Sequence, residues 1–490
     1  MKRIHKIGII DPLVKPRILI LSDIGNEPDD QQSLCRFLTY SNEFDIEGLI
    51  ATTSMWQRDK TRPDLMEKMI NVYGGSPRQN LMIHTGDYFP TSEELLTRIK
   101  GSIPLYGMLG VGKDQDSEGS EWIISVLDKP DPRPLWIPIW GGANCLAQAL
   151  WKIKNTRNRE ELNEIIRKIR VYAIFDQDDS GLWLRKTFPE LFYIVSPFPF
   201  VPNTASDAYE ETNPANSAKF NPEKFKIFIQ QNFEYSKKAT WTGMSGECFY
   251  KFEGGPNSTL IKKKWVNENI RNNHGPLGEV YPRVKYAMEG DTPSFLNLIH
   301  NGLRSCQNPT YGGWGGRYRL FQPKGETREI YSDTIDTVKV GNGMNGIEGD
   351  VPGIYSFGQT TIWRWREAYQ NDFAARMDWA STPNYKDSNH PPSVIINGLL
   401  DKKIKKNEEI SLDATGTSDP DDDEIFYHWF YYKEAGTYQG DVIIEEPSAI
   451  KTKVSFNEFN SSETVHIILE VKDDGNPCLY RYARIIITME

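Results

Sequence analysis

The sequence predicts an open, mostly parallel α/β sheet over residues 1–380 and a small all-β sandwich over residues 394–490. In the first part, short apolar runs stop abruptly at polar clusters and pass into stretches with helical apolar spacing. That is the strand–loop–helix repeat of a parallel sheet covered on both faces. In the second part, β-rich runs alternate with turn residues, the texture of a sandwich. Between them STPNYKDSNHPPS, residues 381–393, is rich in Pro, Ser, Asn and Asp and reads as a linker. A chain of 490 residues also exceeds one core of ordinary size.

The elements follow in order. RILIL at 17–21 is a buried parallel strand ending in Ser22-Asp23, and the loop to Asp30 leads into QQSLCRFLTYS, where Leu34, Phe37 and Leu38 have helical spacing. DIEGLIA at 45–51 is a second strand ending in Thr52-Thr53-Ser54. A third, 135–140, ends in Gly141-Gly142-Ala143-Asn144 before a helix, and a fourth, 171–175, ends in Asp176-Gln177-Asp178-Asp179. Ligands of such sheets bind at the carboxyl ends of the strands, so these polar clusters are expected to form one site. The α/β core is expected at about 15–310, with an extension to 380. The sandwich strands are expected in SVIING, EISLDA, IFYHWFYY, TVHIILEVKD and ARIIITM. Within it, LDATGTSDPDDDEIFYHWF resembles the signature of polycystic-kidney-disease or cadherin-like Ig modules. Its acidic turn, Asp419 to Asp423, reads either as a calcium ligand set or as a solvated turn.

Composition narrows the function. A net charge of −10 with interspersed signs argues against nucleic acid, and no apolar run is long enough to span a membrane. Five scattered cysteines without a CxxC suggest neither a disulfide scaffold nor a zinc site. The start MKRIHKIGIIDPL lacks the apolar core of a signal peptide, which fits either a cytoplasmic protein or one whose leader is absent from the sequence. With 13 Trp and 23 Tyr, aromatic faces serve either packing or a sugar- or base-binding groove.

Asp23, Asp29 and Asp30 share one strand-to-helix loop. Carboxylates this dense repel one another unless a cation neutralises them, and oxygen-only ligands favour calcium or magnesium over zinc. A helix cap would account for one aspartate and not for three. Among other candidates for ligand contact, Asp176, Asp178 and Asp179 end the fourth strand and lead to Trp183, where they bind substrate or cap the next helix. His274 is loop-placed and His84 follows an apolar run and reads as sitting at another strand end, each with either a functional or a structural role. The Gly312–Arg317 stretch allows either close ligand approach or a tight turn. Glu118 reads as a helix N-terminal acid, and Trp363 and Trp365 as packing rather than sugar platforms.

The loop DIGNEPDD, the following helix and LIATTS resemble the opening of nucleoside hydrolases, a strand with D-x-D-P-G-x-D-D followed by a helix and a strand ending in Thr-Thr. More closely, DIGNEPDDQQS, FDIEGLIATTS, DQDDSGLWLRKTFPELF, RNNHGPLGEVYP, EGDTPSFLNLI and GGWGGRY resemble a bacterial family of nucleoside-hydrolase-like proteins often labelled cellulose-binding, over nearly the full length. The resemblance implies an open sheet of nucleoside-hydrolase type with calcium, or magnesium, held by Asp23, Asp29, Asp30, the backbone carbonyl around Gly142, and Asp291. It implies hydrolysis of an N-glycosidic or related glycosidic bond, with Asp29 or Asp23 taking a proton from an activated water, and Asn26 and Asn144 near the substrate. Two departures stand out. Gly25 or Asn26 replaces a second early carboxylate, and Gly290, after Glu289, replaces the histidine that often precedes the late aspartate. The alternative the resemblance leaves is a catalytically silent carbohydrate-binding protein that keeps the metal site. The expected ligand is a sugar, nucleoside-like molecule or polysaccharide, the expected location periplasmic or secreted, and a homo-oligomer is compatible.

Overall fold

The computed structural model describes residues 14–196, 239–240, 255–284, 288–341, 352–406 and 408–490. The MKRIHKIGIIDPL stretch and Cys248 lie outside them. The main sheet is built from β1 (Arg17–Ser22), β2 (Asp45–Ala51), β3 (Ile99–Gly101), β4 (Leu135–Ile139), β5 (Ile169–Phe175), β6 (Phe192–Ser196), β7 (Tyr318–Phe321) and β8 (Ile330–Asp333). Their order is β3-β2-β1-β4-β5-β6-β8-β7. Neighbouring strands pair in parallel except β7, which runs antiparallel to β8 on the edge, and a separate antiparallel pair, β9 (Asp336–Val340) and β10 (Gly353–Phe357), follows. The short β3 and the β6, β8 and β7 edge were not read from the sequence, and the sheet closes at Asp333, beyond residue 310.

β1 shows why this segment is a central strand. Its six residues are all buried. Ile18 and Ile20 pack on one face with Leu34 and Phe37 of the Asp29–Thr39 helix. Leu19 and Leu21 pack on the other with Ile123 and Leu146 of the helices behind the sheet. A strand with helices on both faces must be apolar at every position, which is the continuous run seen in the sequence. Strand order reverses between β1 and β4, because β2 and β3 lie to one side of β1 and β4 to β6 to the other. This switch point opens a crevice at the carboxyl ends.

The C-terminal module stacks a four-stranded sheet, β11-β17-β16-β13, on a three-stranded one, β12-β15-β14. The strands are β11 (Asp401–Ile404), β12 (Ile410–Asp413), β13 (Ile425–Tyr431), β14 (Val442–Ile444), β15 (Lys451–Phe456), β16 (Thr464–Asp473) and β17 (Tyr480–Met489). SVIING forms no strand beyond a single bridge from Ser393 to Ser418, whereas β11, β14 and β15 lie outside the expected runs. The pairing is antiparallel except between β11 and β17, which are parallel. Inner-face residues such as Trp429, Ile467 and Ile485 form a core of their own.

The outer face of the module joins the core of the α/β domain through Tyr432, Ile468 and Tyr482. Backbone bonds from Tyr482 N–H to Asn301 and from Arg484 N–H to Gly302 stitch the two together. Gly302, at φ +98°, brings its backbone so close to Tyr482 that no side chain fits. Residues 381–393 connect the two parts as a packed segment, with Asn389 and His390 buried and His390 stacked on Tyr385 at 3.7 Å. Trp363 and Trp365 are buried, as is Trp314 within the glycine stretch. Glu118 opens a helix capped by Ser117.

Candidate functional site

The loop after β1 folds tightly over the crevice. Gly25 adopts φ +106°, and a Cβ there would stand 2.8 Å from Leu65. The chain then turns at Pro28 into the Asp29–Thr39 helix, whose first turn carries Asp29 and Asp30. A helix N-terminus favours anionic side chains, so local structure and acidity agree. Ser22 at the end of β1 donates its hydroxyl to Asp30, and Ser54 beyond β2 donates to Asp23. Gln57 holds the turn by donating to the Asp23 carbonyl at 3.2 Å.

Asp291 arrives from far along the chain, and its placement is built by neighbours. Glu289 is fully buried, receives Arg36 at 2.6 Å and the Tyr281 hydroxyl at 2.6 Å, and its N–H donates to Gln32. Arg36 and Gln32 belong to the Asp29–Thr39 helix, so the 289–292 turn is clamped to the helix that carries Asp29 and Asp30. Ser294 receives Trp140 Nε1–H at 2.9 Å and thereby ties this turn to the end of β4. Oxygens of Asp29, Asp30 and Asp291 lie within 4.8 Å of one another.

Electrostatics mark the cluster as unusual. Burial, followed by the charge of Asp29, pushes Asp23 up to about 7 despite the Ser54 hydrogen bond. Burial raises Asp29 to about 6. Asp30, Asp291 and Glu27 are pushed well above the carboxylate range by burial and by one another's charges. Among the described residues no lysine or arginine pairs with any of the five. Asn26 Oδ1, Gln57 Oε1, Asn144 Oδ1, Gln177 Oε1 and Asp291 Oδ2 are buried without a hydrogen-bond partner. Buried polar atoms are nearly always satisfied, so orphaned oxygens at strand ends fit a cation or a hydroxyl-rich ligand. The donor set is oxygen throughout, which suits a hard divalent ion.

The glycines after β4 are required by close approach. A Cβ on Gly141 would lie 2.8 Å from Asp23, and one on Gly142 would lie 2.4 Å from Asp178 Oδ2. Gly142 N–H donates to Thr53 O at 2.9 Å. Asn144 donates to Thr53 Oγ1 at 3.1 Å and to Leu105 O at 2.8 Å. The ends of β1, β2, β4 and β5 thus converge on one crevice.

The three aspartates after β5 part ways. Asp178 accepts from Ser180 and from Asn144 N–H, and burial lifts it to about 6. Asp179 accepts Met108 N–H at 2.9 Å. Asp176 is neutralised by Arg185 at 2.7 and 2.8 Å, and the same guanidinium meets Glu326 at 2.6 Å.

Other expected ligand contacts lie elsewhere. Trp183 packs on Phe188 in the helical layer behind the sheet. His274 faces Asp378 at 3.1 Å and its Nδ1 bonds the Asn272 carbonyl. His84 ends no strand. It lies in the Ser76–Thr85 helix, bonded to His390 and to the Thr382 carbonyl and stacked on Trp379, because the apolar run before it is part of a helix packed against the Arg366–Ser381 helix. Among the described residues no histidine bonds to the carboxylate cluster. Sequence reading passed over Glu27, Gln57, Gln177 and the Glu289–Arg36 clamp. Glu27 stood inside the DIGNEPDD motif, whereas the other roles depend on contacts between distant segments.

Fold and site define an α/β domain of nucleoside-hydrolase type with a carboxylate-rich crevice at its switch point. The profile described as cellulose-binding Sde182, nucleoside hydrolase-like domain, matches residues 17–225 and 205–318, and the chain belongs to that family. The profile of the cellulose-binding protein Sde0182 C-terminal domain matches residues 409–489. The solved structure of a nucleoside hydrolase-related hypothetical protein from Saccharophagus degradans, described as associated with carbohydrate metabolism, is 32% identical. It covers 97% of this chain and 100% of that one, with a TM-score of 0.74. The PKD domain of the KIAA 1837 protein is 22% identical over 19% of this chain and 86% of its own, with a TM-score of 0.15, too low to support an argument. A search of curated proteins gave no match. No described helix is long and apolar enough to cross a membrane.

Proposed function

We propose that this protein is a cation-dependent hydrolase of an N-glycosidic or related glycosidic bond. The observation that carries this reading is the gathering of Asp23, Glu27, Asp29, Asp30 and Asp291 at the switch point, with no lysine or arginine among the described residues pairing to them. Such a site is tolerable once a divalent cation, calcium or magnesium, neutralises it. Asp29, Asp30 and Asp291 would hold the ion, with Asp23 and the backbone around Gly142 beside it. When bound, it supplies Lewis acidity and lowers the pKa of a coordinated water. Asp23, held by Ser54 beside the ligand carboxylates, is placed to take a proton from the attacking water. The free oxygens of Asn26, Asn144 and Gln177 accept hydrogen bonds from sugar hydroxyls. The surrounding carboxylates stabilise the positive charge that develops at the anomeric carbon.

A second reading, a carbohydrate-binding protein without turnover, is favoured by the lack of a histidine bonded to the cluster and by the family's description. Glu289, which precedes Gly290, is locked by Arg36 and Tyr281 and is not available as a leaving-group acid. A polysaccharide ligand would fit a periplasmic or secreted location.

Turnover of p-nitrophenyl riboside by chelator-stripped protein, with and without calcium, tests the first reading. Calcium-dependent release that disappears in Asp30→Asn is the expected result. Calcium binding and retention on cellulose without turnover would establish the second. Failure of Asp30→Asn to change either cation binding or turnover would remove the strand-end site from both.

A further inference from the structure

We propose that the cleft between the outer face of the sandwich and the start of the Arg366–Ser381 helix is a saccharide-binding site, shaped for a short neutral oligosaccharide and separate from the strand-end crevice. The alternation of β13 builds its floor. Trp429 points into the sandwich core, so Phe426 and His428, at odd offsets from it, lie on the outer face. Register then completes two rungs across β13, β16 and β17. Phe426 stands opposite Lys472 and Lys472 opposite Tyr480, while His428 stands opposite Glu470 and Glu470 opposite Tyr482. Lys472 Nζ lies 5.4 Å from the Tyr480 ring centre, and His428 meets Glu470 at 3.7 Å. Phe426 is 50% exposed, which leaves half of a large apolar ring open to a ligand.

The α/β domain supplies the wall. Trp365 wedges against the same sheet face, its ring 5.3 Å from Tyr482 and 6.4 Å from Phe430. Glu367, in the first turn of the Arg366–Ser381 helix, accepts Asn257 Nδ2–H at 3.3 Å and the Cys478 thiol at 3.7 Å. It also meets Lys472 of the floor at 3.7 Å. These contacts fix wall to floor before any ligand arrives, which lowers the ordering cost of binding. The cleft between them measures about 760 Å³. Small-molecule sites typically span about 300–1,000 Å³.

The lining selects the ligand class. A gap left by imperfect packing would be lined by apolar side chains alone, whereas this cleft interleaves aromatic rings with carboxylates. Among the described residues that line it, Glu367, Glu470, Asp473 and Asp474 are set against Lys472 and against Arg364, which is already bound to Asp336 at 3.0 Å. An acidic balance repels phosphate, sulfate and uronate groups. Hydroxyl groups of a neutral sugar instead donate to carboxylates, and such hydrogen bonds to charged groups are the strong ones. Pyranose rings with equatorial hydroxyls also carry flat C–H faces, and an exposed aromatic ring such as Phe426 offers these an apolar platform. No residue of the cleft belongs to the strand-end cluster, so the inference holds under either reading of that crevice.

The test is calorimetric titration of the full chain with cellotetraose, whose ring hydroxyls are all equatorial, and with the glucuronate tetramer of the same linkage as its anionic counterpart. Cellotetraose is expected to bind and the glucuronate tetramer to bind far more weakly. Phe426→Ala removes the exposed ring, and Glu470→Gln replaces a charged acceptor at constant shape. Each is expected to weaken cellotetraose binding about tenfold while Tm stays close to that of the unaltered chain. Asp30→Asn is expected to keep the affinity, so failure here is distinguishable from failure at the strand ends. Absence of cellotetraose binding, equal affinity for the two tetramers, or unaltered affinity in both folded cleft variants would overturn the proposal. Loss confined to Asp30→Asn would overturn it by moving the sugar to the strand ends. A dimer that Phe426→Ala dissociates, with no sugar bound, would give this face to a second copy of the chain instead.

Discussion

Asp336 and Asp30 are equally buried aspartates in opposite surroundings. Asp336, at the seam, accepts from Arg317 at 2.7 Å, Arg364 at 3.0 Å and the Tyr432 hydroxyl at 2.6 Å, and these partners hold its pKa below the ordinary value despite burial. Asp372, nearby in the same seam, meets Arg376 and Arg481 and is lowered to about 2. Among the described residues Asp30 meets only a serine hydroxyl and other carboxylates, and its pKa is raised. Burial alone therefore says little about a carboxylate's task. The seam matches its carboxylates with arginines that fix two domains together, whereas among the described residues the strand-end carboxylates meet no such counter-charge.

The largest effect that could break this comparison is at the seam. Asp336→Ala removes the carboxylate that Arg317 and Arg364 share, leaving Arg364 only the longer contact to Glu434 at 3.8 Å, and is expected to cost about 3–5 kcal/mol in urea unfolding. Asp30→Asn in chelator-stripped protein relieves like-charge repulsion and is expected to leave stability equal or higher. Equal losses in the two variants would mean that both carboxylates are structural.

A smaller effect is the pH dependence of stability, which should have opposite signs at the two places. Asp23 and Asp29 have folded values of about 7 and about 6, above their unfolded values. Their stabilising contribution is present at low pH and is lost as pH rises toward neutrality. Asp372, lowered to about 2, contributes above the unfolded value and loses that contribution as pH falls toward 2. In chelator-stripped protein Tm is expected to fall by several degrees between about pH 4 and pH 7, and saturating calcium should abolish that fall. A flat profile that calcium leaves unchanged would count against the strand-end cluster as a cation site.

The smallest expected effect sharpens the boundary between the regions. His84→Ala removes a buried ring stacked on Trp379 and bonded to His390 and Thr382, at an expected cost of about 1–3 kcal/mol. Turnover or sugar binding, whichever the protein performs, should be unchanged once the variant is folded. A specific loss of either would return His84 to the site.

Much of the architecture was legible because it is local. The apolar run of β1 and the alternating texture after residue 394 each declare their element within a few residues. Short or edge strands such as β3, β11 and β14 escaped, since three or four residues carry too little alternation and only partner strands fix them as β structure. His84 was misplaced for a related reason, because one apolar run before a turn suits a helix as well as a strand.

The same division holds for the site. That Asp23, Asp29 and Asp30 share one loop at the end of a buried strand was legible in the chain alone, since neighbours in the chain stay neighbours in space. That Asp291 joins them through the Glu289–Arg36 clamp, and that Asp176 is neutralised by Arg185 while Asp178 is not, came only with the folded chain. Those outcomes depend on which charges meet across long sequence separations, and a carboxylate's pKa is set by that company and by burial rather than by its place in the chain.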